Sequence, residues 1–301
     1  MAGLENQYIN CKITSKDELM IGDSDSLLLY GCDAQQQLRD FSKTISRQLL
    51  YGNDDLEYLI QDIVNEIEKF QCLIEKKSKV LFWNNKERKR ELLVKNYNDV
   101  LVYIDKMELA LKLQEAQIIK DSKLFERMNM QLEDTSTNLK KLISHGNEIL
   151  SQQSKQNVSE ELRNWYERLS RRLDDLMVSD TVAQQSIAQI KLILENNTRL
   201  VDKILEAVSG TIPIWRNQIT ILLGIERVNR NVMIQNKVAE ITRHFANDGK
   251  EKTNQRKMKH QEIATEKMLQ INESFKRVLN ELDSIEKQDS NIRLELSSSL
   301  R

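Results

Sequence analysis

The residues that carry most protein chemistry stand apart in this chain. Its three histidines, His145, His244 and His260, are widely separated, and none falls in an H-x-x-x-H or H-E-x-x-H spacing that sets two ligands on one helix face for zinc. Cys11, Cys32 and Cys72 are odd in number and form no Cys-x-x-Cys pair; Cys72 has Lys76 one helical turn away, a single common neighbour rather than a set that activates a thiolate. Asp174 and Asp175 are adjacent, and on a helix adjacent side chains point apart, so they read as a solvated face rather than a general acid–base pair. No glycine-rich phosphate loop or Walker motif is present. From these residues the chain reads as no enzyme, with no catalytic, metal or cofactor-binding set.

Two basic clusters offer binding rather than catalysis. Lys76, Lys77 and Lys79 lead into Val80-Leu81-Phe82-Trp83, and Lys86, Arg88, Lys89 and Arg90 follow. Apolar and aromatic residues flanked by cations can dock on an anionic membrane surface. Glu75, Glu87 and Glu91 dilute the cluster, and the competing reading is a helix–helix connection whose aromatics pack on a bundle. The second cluster, Lys250, Lys252, Arg256, Lys257, Lys259 and His260, suits an anion or a solvated turn. Globally the 45 basic and 46 acidic residues give a net charge of −1, so charge implies no nucleic-acid partner.

The elements that would position these residues are helices. Among 301 residues there is one proline and there are 8 glycines; 30% are charged and 5% aromatic, a profile of long helices with narrow apolar seams. Leu56, Ile60, Ile63, Ile67, Phe70 and Ile74 step by three and four. A longer register runs from Leu93 through Tyr97, Ile104, Leu111, Ile118, Phe125, Leu132, Leu139 and Leu142 to Ile149, interrupted only at Gln114, Asp121, Thr135 and Gly146. A helix break near His145-Gly146 competes with continuity there. The pattern resumes from Val158 to Val208 and again with Ile221, Ile225, Val228 and Val232, then from Met268 to Ile292. Ser209-Gly210-Thr211-Ile212-Pro213 punctuates it: Gly210 suits a C-terminal cap and Pro213 the first turn of a new helix, with one kinked helix as the alternative.

The fold class is therefore all-α, an elongated antiparallel helical bundle or coiled-coil-like rod of long helices. Residues 1–32 read as a flexible N-terminal segment, a mobile tail or loosely docked arm. Residues 33–301 read as a single elongated helical domain. It comprises N-terminal helices (33–75), the basic connection (76–95), long central helices (93–210) and a C-terminal hairpin (211–247 and 250–298) turning at Asn247-Asp248-Gly249. No run approaches 18 apolar residues, and Met1 to Asn10 lack a signal-peptide pattern. A cytoplasmic protein is expected, peripheral at a membrane if residues 76–90 dock there. The seams can pair within one chain or between copies, so a homo-oligomer stays open.

One segment is more specific than periodicity. Residues 199–224 read RLVDKILEAVSGTIPIWRNQITILLG. This resembles the signature of the toxic anion resistance family, the tellurite-resistance TelA and KlaA proteins: T-I-P-L-W-K-N-Q, preceded by a valine-x-lysine-isoleucine helix and followed by leucine-glycine. Thr211, Ile212, Pro213, Trp215, Asn217, Gln218 and Gly224 match, and Arg216 replaces the usual lysine. Weaker matches include Phe41-Ser42, Arg172 with Asp175-Leu176, and Gln185, Gln189, Ile190 and Asn197; Ala188 and Lys191 depart from a Q-T-A-P-Q-I-R element. The resemblance implies a cytoplasmic bacterial stress-resistance protein working with protein partners, and it brings no catalytic residue set.

Within that element, Trp215 offers a large apolar face with one N–H donor, and Asn217 and Gln218 offer amides. Free N–H groups at a helix start attract anions. Thr211, Pro213, Trp215, Arg216, Asn217 and Gln218 are thus a candidate partner or anion site, with Arg216 as counter-charge. The competing reading is a structural elbow that Pro213 starts and Trp215 locks.

Overall fold

Apolar steps of three and four residues become the buried faces of long helices. The computed structural model describes residues 19–50, 54–79, 86–153, 159–243 and 253–299. They form α1 (Ser24–Leu29), α2 (Cys32–Leu50), α3 (Asp54–Lys79), α4 (Lys86–Gln153), α5 (Glu160–Glu206), α6 (Ile212–Arg243) and α7 (Thr253–Ser299), with a π-helical turn, Ala207–Thr211, between α5 and α6. No strand occurs among the described residues. The all-α bundle read from periodicity is the fold.

The chain, expected as one domain over 33–301, divides into two compact units. The first takes α1, α2, α4 from Ser122, α5 up to Glu195 and α7 from Ser290. The second takes α3, α4 up to Asp121, α5 from Asn196, the π-turn, α6, and α7 up to Asp289.

In the first unit, residues 19–32 correct the expectation of a mobile or loosely docked segment. The Gly22-Asp-Ser-Asp-Ser run is a helix start rather than an unstructured loop. Asp23 caps α1, accepting from Ser26 N at 2.9 Å and Asp25 N at 3.3 Å. Those two bonds, Ser26's first, hold its carboxyl below the usual aspartate value. Tyr30 is wholly buried and its hydroxyl donates to Leu142 O at 2.6 Å. Trp165 Nε1 donates to Asp23 O, and Arg172 Nε donates to Tyr30 O, each at 2.8 Å. Leu27, Tyr30 and Ala34 then close a core with Leu139, Leu142, Trp165, Leu169 and Leu173.

Helix α4 runs unbroken past His145-Gly146. Gly146 is buried, and a Cβ there would come within 2.5 Å of Leu173 Cδ2, so the glycine marks a close approach of α4 and α5 rather than a break. Gly31, between α1 and α2, has φ +72°, and a Cβ would lie 2.7 Å from Leu176 Cδ2.

The second unit is an up-and-down four-helix bundle. Tyr103 and Tyr97 on α4 meet Asp62 and Phe70 on α3, in antiparallel order. Lys203, Trp215 and Gln218 meet Glu281, Asn272 and Ala264, so the α5–α6 strand of the bundle runs antiparallel to α7. The Asn247-Asp248-Gly249 turn lies outside the described residues.

Two consequences are measurable. Gly31→Ala adds left-handed strain and a clash, and is expected to lower urea-measured stability by about 2–3 kcal/mol. Gly22→Ala, at φ +88° with its nearest neighbour atom 3.7 Å away, is expected to lose only the backbone part, about 1 kcal/mol. Equal losses at the two sites would contradict the close packing of Gly31 on Leu176. Burial also pushes the Tyr97 phenol up to about 12, and raises that of Tyr103, which additionally donates to Asp62 at 2.9 Å. A phenol raised on folding contributes stability that is complete below its unfolded value of about 10 and is lost as pH rises through the folded value. Stability is expected to fall over that alkaline window, and to fall less in a Tyr97→Phe, Tyr103→Phe variant followed by circular dichroism.

Candidate functional site

The Thr211–Gln218 element sits in the second unit, where α5 passes into α6. Proline lacks an N–H, and its ring collides with the carbonyl four residues back. Here the chain widens by one residue before Pro213. The π-turn Ala207–Thr211 closes with Ile212 N–H donating to Ala207 O, five residues back. Gly210 is not a left-handed cap, since positive φ among the described glycines is confined to Gly22 and Gly31. There is accordingly no elbow of separate helices: the chain is helical from Glu160 to Arg243.

Trp215 lies wholly buried at the meeting point of the four helices. Phe70 of α3 and Phe275 of α7 meet its ring edge-on, with centroids 6.0 and 5.7 Å away, and Tyr97 of α4 packs on Phe70 at 5.6 Å. Its Nε1–H donates to Oδ1 of Asn272 at 2.8 Å, and Asn272 is itself fully buried. Gln218 is buried too, its Nε2 donating to Ala264 O on α7 at 3.0 Å.

Arg216 reaches the other way, to α4. Its Nη2 donates to Asp105 Oδ1 at 2.7 Å and Glu108 Oε2 at 2.8 Å. Glu108 also accepts from Lys112 at 2.7 Å, and Lys112 first, then Arg216, hold its carboxyl below the usual range. The guanidinium is paired with carboxylates through Nη2, its Nε is buried with no partner among the described residues, and the Ile212 N–H is bonded within the π-turn. Thr211 is half-buried, whereas Pro213 and Asn217 are exposed.

The basic candidate at residues 76–90 falls largely where no side chain is described. Phe82 and Trp83 lie outside the described residues, and for Lys76, Lys77, Lys79, Lys86, Arg88, Lys89 and Arg90 the helical backbone alone is given. Lys250, Lys252 and His244 lie outside as well. Cys32 and Cys72 are free thiols; Cys32 Sγ donates to Leu28 O and accepts from Arg172 Nη2 at 3.4 Å. His145 Nδ1 lies 3.3 Å from the Tyr30 hydroxyl. Among the described residues no group of three His, Cys, Asp or Glu is placed to hold a metal ion, and no helix is long and apolar enough to cross a membrane.

Of the α6 seam read from periodicity, Ile225 packs on the core, whereas Ile221 and Val228 do not. Ile221 and Val228 are 44% and 56% exposed, while Ile219, Leu222 and Leu223 are buried. Apolar residues on α6 step by three and four along both sides, so spacing alone had no means of choosing. Asn272, Asp105 and Glu108, the partners of Trp215 and Arg216, are polar residues that no motif flagged.

The tryptophan–asparagine pair can be tested as a unit. Trp215→Phe leaves Asn272 Oδ1 without its donor, and Asn272→Leu leaves the indole N–H without its acceptor. Each is expected to cost about 1–3 kcal/mol. The double variant is expected to cost at least about 1 kcal/mol less than the sum, since neither group is then orphaned. Additive losses in urea unfolding would sink the pairing.

The chain is 26% identical over 242 residues to the uncharacterized protein YaaN of Bacillus subtilis, covering 72% of this chain and 62% of that protein. It is 25% identical over 245 residues to TelA-like protein SH1505 of Staphylococcus haemolyticus, covering 73% and 62%. It is 25% identical over 248 residues to the uncharacterized protein Lmo1967 of Listeria monocytogenes, covering 73% and 61%. The matched regions thus span a little over three fifths of these relatives' lengths. No solved structure matches the chain. Residues 14–300 match the toxic anion resistance protein (TelA) family, to which this chain, with its Trp215-centred element, belongs.

Proposed function

We propose that this protein is a non-enzymatic member of a bacterial toxic-anion resistance system, of the tellurite type, that works as a helical scaffold holding protein partners. The observation that supports this reading is the division of labour within Thr211–Gln218. Trp215, Arg216 and Gln218 are spent on joining α6 to α4 and α7, while Pro213, Ile214 and Asn217 face outward from the same two turns. A stretch that carries the family's pattern on both its inner and its outer side fits a surface displayed by a rigid bundle. The free thiols at Cys32 and Cys72 fit a reducing compartment, and the cytoplasm is part of the proposal.

The test is tolerance of tellurite in cells whose own copy is replaced. Asn217→Arg, at an exposed position, is expected to leave the circular dichroism melt unchanged and to reduce tolerance. Trp215→Ala is expected to reduce tolerance together with stability, by about 3–5 kcal/mol. Consumption of tellurite by the purified protein alone, or full tolerance in cells carrying Asn217→Arg, would refute the scaffold reading.

A further inference from the structure

The buried seam of α5 does not stop at the π-turn; it is displaced there. In the second unit Asn197, Leu200, Ile204 and Ala207 are buried, stepping by three and four. An α-helix continuing those steps would next present Thr211, Ile214, Gln218, Ile221, Ile225, Val228 and Val232. At the first four of these steps the structure instead buries Ile212, Trp215, Ile219 and Leu222, each one residue later. The one extra residue in Ala207–Thr211 accounts for the offset. Past Leu222 the displaced seam turns polar, since its next positions are Glu226 and Asn229, whereas the undisplaced one goes on with Ile225, Val228 and Val232. Helix α6 thus carries two seams one residue apart, and the π-turn decides which of them meets the bundle.

We propose that α6 is a two-position rotor. The extra residue can leave Ala207–Thr211 and pass along α6 beyond Val228, which turns the helix by one residue, roughly 100°, about its axis. Ile214 and Ile221 then take the seam positions of Trp215 and Leu222. Trp215 moves to a flank of the helix, and Arg216 leaves Asp105 and Glu108. Three features hold the phase seen in the structure. An undisplaced helix would press the Pro213 ring on the Ser209 carbonyl, Trp215 bonds Asn272, and Phe70 and Phe275 meet the indole edge-on. Other features oppose it. Asn272 Nδ2 and Arg216 Nε are buried with no partner among the described residues, one at each contact that this phase makes. Ile214, Ile221 and Val228 remain 56%, 44% and 56% exposed. Gly210, inside the π-turn, has open space where a Cβ would stand, and a glycine backbone eases the exchange between the two hydrogen-bond patterns. The rotor makes the outward surface of α6 a switched one: isoleucines show in one phase, the indole in the other. A partner that binds only the second phase draws the equilibrium toward it.

The test is the rate at which a thiol reagent labels single cysteines in the full chain, its three native cysteines replaced by serine. Ile219→Cys reports the rotation, because Ile219 is buried in the present phase and turns to a flank in the other. Leu279→Cys on α7, also wholly buried, reports opening of the whole unit. Pro213→Ala removes the clash that disfavours the undisplaced helix, and is expected to speed labelling at Ile219→Cys by more than about tenfold while leaving Leu279→Cys unchanged. Removing Gly210 together with Pro213→Ala leaves an α-helix with no residue to spare and Trp215 still inward. That variant is expected to melt no lower than Pro213→Ala and to label at Ile219→Cys no faster than the native sequence. Equal acceleration at Ile219→Cys and Leu279→Cys, no acceleration with Pro213→Ala, or acceleration that survives the removal of Gly210 would overturn the proposal. None of these readouts involves tellurite tolerance, so the rotor can fail while the scaffold reading stands.

Discussion

Burying an indole N–H without an acceptor is costly; at the centre of the second unit the Trp215 indole finds its acceptor in Asn272 Oδ1, while Asn272 Nδ2 is buried with no partner among the described residues. Leaving either group unpaired costs about 1–3 kcal/mol, so the Trp215 Nε1 to Asn272 Oδ1 bond fixes how α6 lies on α7 more sharply than apolar packing does. A slip of α7 by one turn keeps leucines against isoleucines but orphans both polar groups. A buried polar residue in a helical seam commonly sets register in this way. The ring then imposes a second condition, because Phe70 and Phe275 approach it edge-on from α3 and α7. The register of three helices is thereby tied to one side chain.

The π-turn follows from that placement. Ile204 and Val208 must face the core before Pro213, and Trp215 and Ile219 must face it after. An α-helix through Pro213 would set the proline ring against the Ser209 carbonyl. The extra residue in Ala207–Thr211 relieves that conflict and rotates the following residues about the helix axis. It delivers Trp215 inward and Arg216 toward α4. The proline and the tryptophan are parts of one device: one demands the bulge, and the other uses the rotation.

Most of the fold was legible because burial in long helices repeats. Residues such as Ile60, Leu111, Phe125, Leu169 and Phe275 recur at spacings only a helix explains, and each is buried. What escaped was what does not repeat. Gly146 looked like a break because glycine serves both caps and close approaches, and the approach of Leu173, which leaves no room for a Cβ, is visible only in three dimensions. Residues 19–32 looked like a tail because an N-cap and a loop use the same residues, Asp and Ser; the packing of Tyr30 is what separates them. The candidate site was half legible. Trp215 and Gln218 were marked by their types, but their partners Asn272, Asp105 and Glu108 are ordinary polar residues on other helices.

The α6 error has a different origin, and it bears on function. A seam is defined by spacing, and spacing carries no information on which side of a helix the rest of the bundle lies. Where a helix has one apolar side the ambiguity never arises. On α6 the inner side (Ile212, Trp215, Ile219, Leu222) and the outer side (Ile214, Ile221, Val228) both satisfy the pattern, and burial alone separates them. A monomeric bundle needs one such face. Ile214, Ile221 and Val228 lie outside that face, so the seam that spacing picks out and the seam that the bundle buries are not the same, and the buried one is chosen by where the π-turn delivers Trp215.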